Sequence, residues 1–195
     1  LSDCPVKVQV NNESLNFLTE TNSYSIPKFF IPPAMHNKGN FIISLGSFCK
    51  WLSQQAENLG VEIYPGFAAS DLIIEDGVLS GIVTGDLGIN KDGEQGSNFQ
   101  PGIEIHSKYT LFAEGCRGHL GKKLMDNFNL RDNAEHQTYG IGLKELWEIK
   151  PENSNTGSVF HSVGWPLDND TYGGSFLYHL DNNLVSYGFV IGLDY

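Results

Sequence analysis

The run SLGSFCKWLSQQAENLG carries Leu45, Phe48, Cys49, Leu52, Ala56 and Leu59 at helical spacing, and predicts a one-face amphipathic helix capped by Ser44 and stopped by Gly60. VEIYPG reads as a strand. DLIIEDGVLSGIVTG then places two β-rich halves around Asp76-Gly77, the dipeptide of a tight hairpin. A polar loop is expected from about Asp86 to Gly102. The segment IEIHSKYTLFAEG alternates and then turns apolar, as a strand entering a buried sheet does, and ends at Gly115. HLGKKLMDNF predicts a short helix with Leu120, Leu124 and Phe128 on one side and Lys122 and Lys123 toward solvent.

Beyond Gln137 the period changes. TYGIGLKELWEI, SVFHSVGW, YGGSFLYHL and NLVSYGFVIGL are four consecutive strand-like segments, the last two joined through Asp181, Asn182 and Asn183, and they predict an antiparallel sheet. The first 38 residues are strand-and-turn material ending in the apolar stretch FFIPPAM. An α/β centre over residues 39–136 is thus flanked by β-rich sequence at 1–38 and 137–195. This is the pattern of a domain inserted into another, with a single mixed α+β domain as the alternative.

Composition narrows the function more than the fold. The chain has 195 residues, 40% hydrophobic and only 18% charged, which excludes a disordered segment and a coiled coil. A net charge of -11 repels a phosphate backbone, so nucleic acid is not an expected partner. Cys4, Cys49 and Cys116 have no paired spacing, and the six histidines form no H-E-x-x-H or similar pattern, so no metal site is expected. No run reaches the roughly 18–20 apolar residues of a membrane span. A chain opening on Leu1 and closing on Tyr195 within a strand-like run reads as an internal fragment of something longer.

Two places invite a ligand. In YTLFAEGCRGHLG an apolar strand, a turn with Gly115 and Gly118 and a helix would bring backbone N–H groups toward an anionic or polyol ligand, with Glu114 accepting from its hydroxyls; the alternative is that the glycines merely turn the chain. In TYGGSFLYHL, Gly173-Gly174 inside an aromatic strand gives up packing and adds backbone entropy, which suggests close approach of a flat ligand among Tyr172, Phe176 and Tyr178, or else a β-bulge. Other motifs fail. Gly140 and Gly142 lack a third glycine because Glu145 stands there, and the Asn90, Asp92, Gly93 half of a calcium loop meets Phe99 where a carboxylate is required. Ser162, His161 and Asp168 are close in sequence, but a triad is a matter of geometry. No catalytic residue is assigned.

The runs QTYGIGLKELW, VGWPLDNDTYGGSFLYHL, VIGLDY, FAEGCRGHL and GVEIYPGFAA resemble the electron transfer flavoprotein-ubiquinone oxidoreductases over nearly the whole chain. The resemblance implies part of a glutathione-reductase-like FAD domain, residues 39–136, with an inserted antiparallel-sheet quinone domain made from 1–38 and 137–195. It implies an oxidoreductase that takes electrons from reduced electron transfer flavoprotein and passes them to ubiquinone through FAD and a 4Fe-4S cluster. The glycine fingerprint for FAD and the cluster ligands would lie outside this chain. The enzyme would be monotopic, on the matrix side of the mitochondrial inner membrane or on a bacterial cytoplasmic membrane. By the same resemblance Gly173 and Gly174 meet a quinone carbonyl with Tyr172 and Phe176 around it; Glu114, Gly115 and Gly118 lie at the flavin's ribityl and pyrophosphate region; and Ala68 and Ala69 border the adenine. Ser44 departs from the family, where many members carry Arg. A geranylgeranyl-reductase-like or aromatic-hydroxylase-like flavoprotein, or a non-catalytic β-rich binding module, would be the competing readings. A flavin carries electrons singly or in pairs, which suits a chain without a nucleophile or general base.

Overall fold

The computed structural model describes residues 3–193. In chain order it contains strands β1 (Val8–Gln9), β2 (Asn12–Leu18), β3 (Ser23–Ser25) and β4 (Phe41–Ile42), helix α1 (Leu45–Asn58), strands β5 (Ala69–Glu75), β6 (Val78–Thr84), β7 (Leu87–Ile89), β8 (Gln95–Gln100) and β9 (Glu104–His106), helix α2 (His119–Phe128), and strands β10 (Gly140–Glu148), β11 (Ser158–Gly164), β12 (Gly173–His179) and β13 (Leu184–Gly192). The class is mixed α/β, with four separate sheets among the described residues. The chain forms two compact units: Leu1–Glu62 with Gln137–Tyr195, and Ile63–His136. The first boundary falls beyond α1, because Val8 and Gln9 pair with Ile42 and Phe41 and so tie this stretch to the N-terminal strands.

In the first unit six strands form one sheet in the order β10-β13-β12-β11-β2-β3. The four C-terminal segments are strands, and neighbours among them are antiparallel. The sheet does not stop with them: β2 lies parallel to β11, with Ser158 opposite Asn12 and Gly164 opposite Leu18. Its N–H and C=O groups complete the ladder that β11 would otherwise leave open on that side. The β12–β13 turn needs left-handed backbone, and Asn182 and Asn183 supply it at φ 54° and 59°. Val10, Ile42 and Val159 form a small buried core, with Val8, Tyr178 and Leu180 packed against it. The helix begins at Leu45, with the Ser44 hydroxyl accepting from Ser47 N at 3.3 Å.

In the second unit β5 and β6 form the expected hairpin, with Asp76 and Gly77 both at positive φ, and β9 adds a third strand. Three expectations are corrected here. The polar loop 86–102 is itself a hairpin, β7 with β8, turned by Asn90–Gly93, where Asn90 N donates to Glu94 O at 2.8 Å. The long strand entering a buried sheet shrinks to β9; Tyr109 and Leu111 lie outside any strand, 91% and 96% exposed. VEIYPG is likewise not a strand, and Val61 is exposed. A strand exists only where a neighbour completes its ladder, and an apolar, β-branched composition does not provide that neighbour.

Candidate functional site

Alternation along β12 puts Gly174, Phe176 and Tyr178 on one face of the six-stranded sheet. Register places His161 opposite Phe176, and Leu15 opposite His161. Gly188 faces Phe176 from β13 and has no Cβ; the aromatic ring lies across the space a Cβ would take. The Phe176 and Tyr178 rings are 4.9 Å apart between centroids. A segment with two 3-10 turns, Lys28–Phe30 and Pro33–Met35, brings Met35 and Asn37 over this face.

The result is an open, largely apolar cleft of about 660 Å³, lined among others by Met35, Asn37, His161, Val163, Gly174 and Phe176. Tyr172 and Gly173 also line it. Of the five residues singled out in the aromatic strand, Tyr172, Gly173, Gly174 and Phe176 therefore share one cleft, and Tyr178 lines a neighbouring one. This volume suits a single aromatic ring with its substituents.

The glycines have a second explanation, which alters the reading of the sequence. A Cβ at Gly174 would fall onto the carbonyl oxygen of Ser162, and one at Gly173 onto the carbonyl oxygen of Val190 and the Leu167 side chain. What approaches these residues closely is the neighbouring backbone. The pair is required by the sheet, whatever the cleft holds.

The pairing of the polar groups around the cleft was not found from sequence, because it forms only across strands. His161 Nε2 lies 2.8 Å from the Tyr178 hydroxyl, and the two rings meet edge to face. Burial lowers the pKa of His161, opposed by the nearby Glu13 charge, and burial raises that of Tyr178. The Glu13 side chain is only 9% exposed; its carboxylate accepts from Asn37 N and pairs with His36 Nδ1 at 3.3 Å. The Asn37 amide, before the other causes, holds that carboxyl below its ordinary range. Ser162 points to the opposite face and pairs with Ser175, while Asp168 accepts from the amides of Asp170 and Thr171. Ser162, His161 and Asp168 thus make no triad.

In the second unit the turn 114–118 differs from its sequence reading. The Glu114 carboxylate accepts from Leu120 N at 3.2 Å and Gly121 N at 2.7 Å, satisfying amides at the start of α2. Gly118 is the residue before that helix, and a Cβ there would overlap the Glu114 side chain. Gly115 has φ +77°, and a Cβ there would meet nothing within 4 Å. Ala69 opens β5, and Ala68 O accepts from Gly85 N at 2.8 Å. Among the described residues no group of His, Cys, Asp or Glu could hold a metal ion, and no helix is long and apolar enough to cross a membrane.

Residues 139–195 match the family model for the ubiquinone-binding part of electron transfer flavoprotein-ubiquinone oxidoreductase. The electron transfer flavoprotein-ubiquinone oxidoreductase of Pseudomonas aeruginosa is 53% identical over 194 residues, 98% of this chain and 35% of that protein. The chain belongs to this family. The mitochondrial family member of Dictyostelium discoideum is 52% identical over 192 residues, 98% of this chain and 31% of that protein. The chain therefore spans about a third of the length of the curated relatives it matches. In fold it is similar to a triple mutant of the flavin-dependent brominase Bmp2, with a TM-score of 0.55 at 13% identity, covering 98% of this chain and 42% of that one. Bacterial and mitochondrial proteins both occur among the family relatives.

Proposed function

We propose that the cleft on the six-stranded sheet holds the ring of ubiquinone, and that the full-length protein passes electrons to it from reduced electron transfer flavoprotein through FAD and a 4Fe-4S cluster whose ligands lie outside this chain. The observation that carries the reading is the meeting of Tyr172, Gly173, Gly174 and Phe176 on one apolar cleft, inside the stretch that matches the ubiquinone-binding family model. The first unit is then the quinone domain, and the second is part of a glutathione-reductase-like FAD domain. Adding a short-chain ubiquinone to the full-length protein should slow amide hydrogen exchange at residues 161–163 and 172–176. Protection confined to other regions would overturn the assignment.

FAD is tested against the turn at Gly115. The open space at its Cβ position fits a ligand close to the backbone, whereas Glu114 is already committed to α2. Gly115, with Ala68 and Ala69 at the start of β5, would border the cofactor, and Glu114 and Gly118 would hold the turn in shape. FAD supplies the capacity to take electrons in pairs and release them singly. Gly115→Asn probes the space without straining the turn, since Asn tolerates the left-handed region better than other side chains. The variant should fold and carry less FAD per protein; full FAD content would remove Gly115 from the site.

Membrane contact in this reading is monotopic. Phe29 and Phe30, 79% and 69% exposed with rings 4.2 Å apart, give an apolar edge on the same loop as Met35. Binding of the full-length protein to neutral liposomes should survive high salt, since the chain is acidic and insertion is apolar. Phe29→Asp with Phe30→Asp should abolish it. Release of the unaltered protein by salt alone would contradict this attachment.

A further inference from the structure

We infer that His161 and Tyr178 form a proton relay that runs from the second cleft on this sheet face into the quinone cleft, with His161 as the group that protonates one carbonyl oxygen of the reduced quinone. The inference rests on the ubiquinone reading above.

Quinone reduction consumes protons as well as electrons. Ubiquinone becomes ubiquinol by taking two electrons, which the redox cofactors of the full-length protein would supply, and one proton on each oxygen. Apolar walls cannot supply those protons. Among the side chains that line the cleft, His161 is the one whose residue type exchanges a proton near neutral pH.

The geometry gives the ring both ends of a relay. Nε2 is engaged by the Tyr178 hydroxyl at 2.8 Å, so Nδ1 is the ring nitrogen left to serve the quinone. Tyr178 in turn lines a neighbouring open cleft of about 750 Å³, together with Asn40, Phe41, Ile42 and Val159. His161 does not line that second cleft, and Tyr178 does not line the first. The hydrogen-bonded pair therefore joins two cavities that share no other titratable side chain.

The step balances. As the quinone oxygen gains charge, the Nδ1–H bond breaks and an O–H bond forms on the quinone. Nε2 takes the hydroxyl proton of Tyr178, and the phenolate recovers its proton from water in the second cleft. Burial favours the neutral imidazole, against the opposing Glu13 charge, and the protonated phenol, the states this direction of transfer uses. Two charged or titratable groups face the ring from the elements packed on it. Tyr178 lies on β12 and Glu13 on β2, while His36 reaches Glu13 from the loop that carries Met35. The Glu13 carboxylate and His161 both line a small cavity of about 10 Å³, through which the negative charge favours any positive charge that develops on the ring during transfer.

The test uses the full-length enzyme with His161→Phe and Tyr178→Phe, which keep a ring and remove the transferring atoms. Flavin content and reduction of the enzyme by electron transfer flavoprotein should stay near the unaltered values. The rate of quinone reduction should fall by about 100-fold in His161→Phe, the lower end of what positioned proton transfer contributes. It should fall less in Tyr178→Phe, with loss of the solvent deuterium isotope effect and a changed pH profile. In His161→Ala, free imidazole should restore part of the rate. Unchanged rate, isotope effect and pH profile in both Phe variants, with quinone still bound in the cleft, would overturn the relay and leave the quinone site standing. Unchanged quinone affinity when the cleft is filled by Val163→Trp would overturn the site, and the relay with it.

Discussion

Gly174→Ala and Gly174→Val are both expected to destabilise the full-length protein, lowering FAD content, reduction by electron transfer flavoprotein and quinone reduction together. The cause is the Ser162 carbonyl oxygen, onto which any Cβ at this position would fall. That oxygen belongs to β11, which is hydrogen-bonded to β2 on one side and β12 on the other, so it cannot withdraw without opening the sheet. Forcing atoms into a packed site costs about 1–3 kcal/mol, sometimes more, a large share of the roughly 5–15 kcal/mol that holds a domain together. Thermal denaturation measures it. If Gly174→Ala keeps its thermal midpoint and loses only quinone reduction, the glycine serves the ligand and the steric account is wrong.

Val163→Trp is the cleaner way to fill the cleft. Val163 lines it, is 37% exposed, and has its Cγ1 3.6 Å from the point a Gly174 Cβ would occupy, so a larger side chain grows over the glycine floor and not into the core. Quinone reduction should fall at least about tenfold, equivalent to about 1.4 kcal/mol of transition-state stabilisation. Flavin content and reduction by electron transfer flavoprotein should be unaffected. Equal loss in both half-reactions would mean a folding defect; an unchanged quinone rate would empty the cleft of its assigned role.

What could be read from sequence was whatever is decided within a few residues. The helix behind Ser44 and the hairpin at Asp76-Gly77 are local, set by a 3.6-residue period, a hydroxyl cap and two positions at positive φ. The β2–β11 pairing is not local. Asn12 and Ser158 hydrogen-bond across 146 positions, and nothing in either segment announces a parallel partner. The same holds for the site. Two glycines in an aromatic strand pointed to close approach of a ligand, whereas the approach visible in the fold is that of the Ser162 and Val190 carbonyl oxygens. Glu114 likewise has partners that the sequence did not announce, the two amides that α2 offers its carboxylate. The relation among His161, Glu13 and Tyr178 carried no motif, because it exists only through the register of three strands.

The most direct test of the quinone cleft is photoaffinity labelling of the full-length enzyme with an azido-ubiquinone, followed by mapping of the modified peptides. Labels on residues 161–163, 172–176 or the Met35–Asn37 stretch, suppressed by excess ubiquinone and by Val163→Trp, are the predicted result. Suppressible labelling found solely in Ile63–His136, or solely outside this chain, would contradict it.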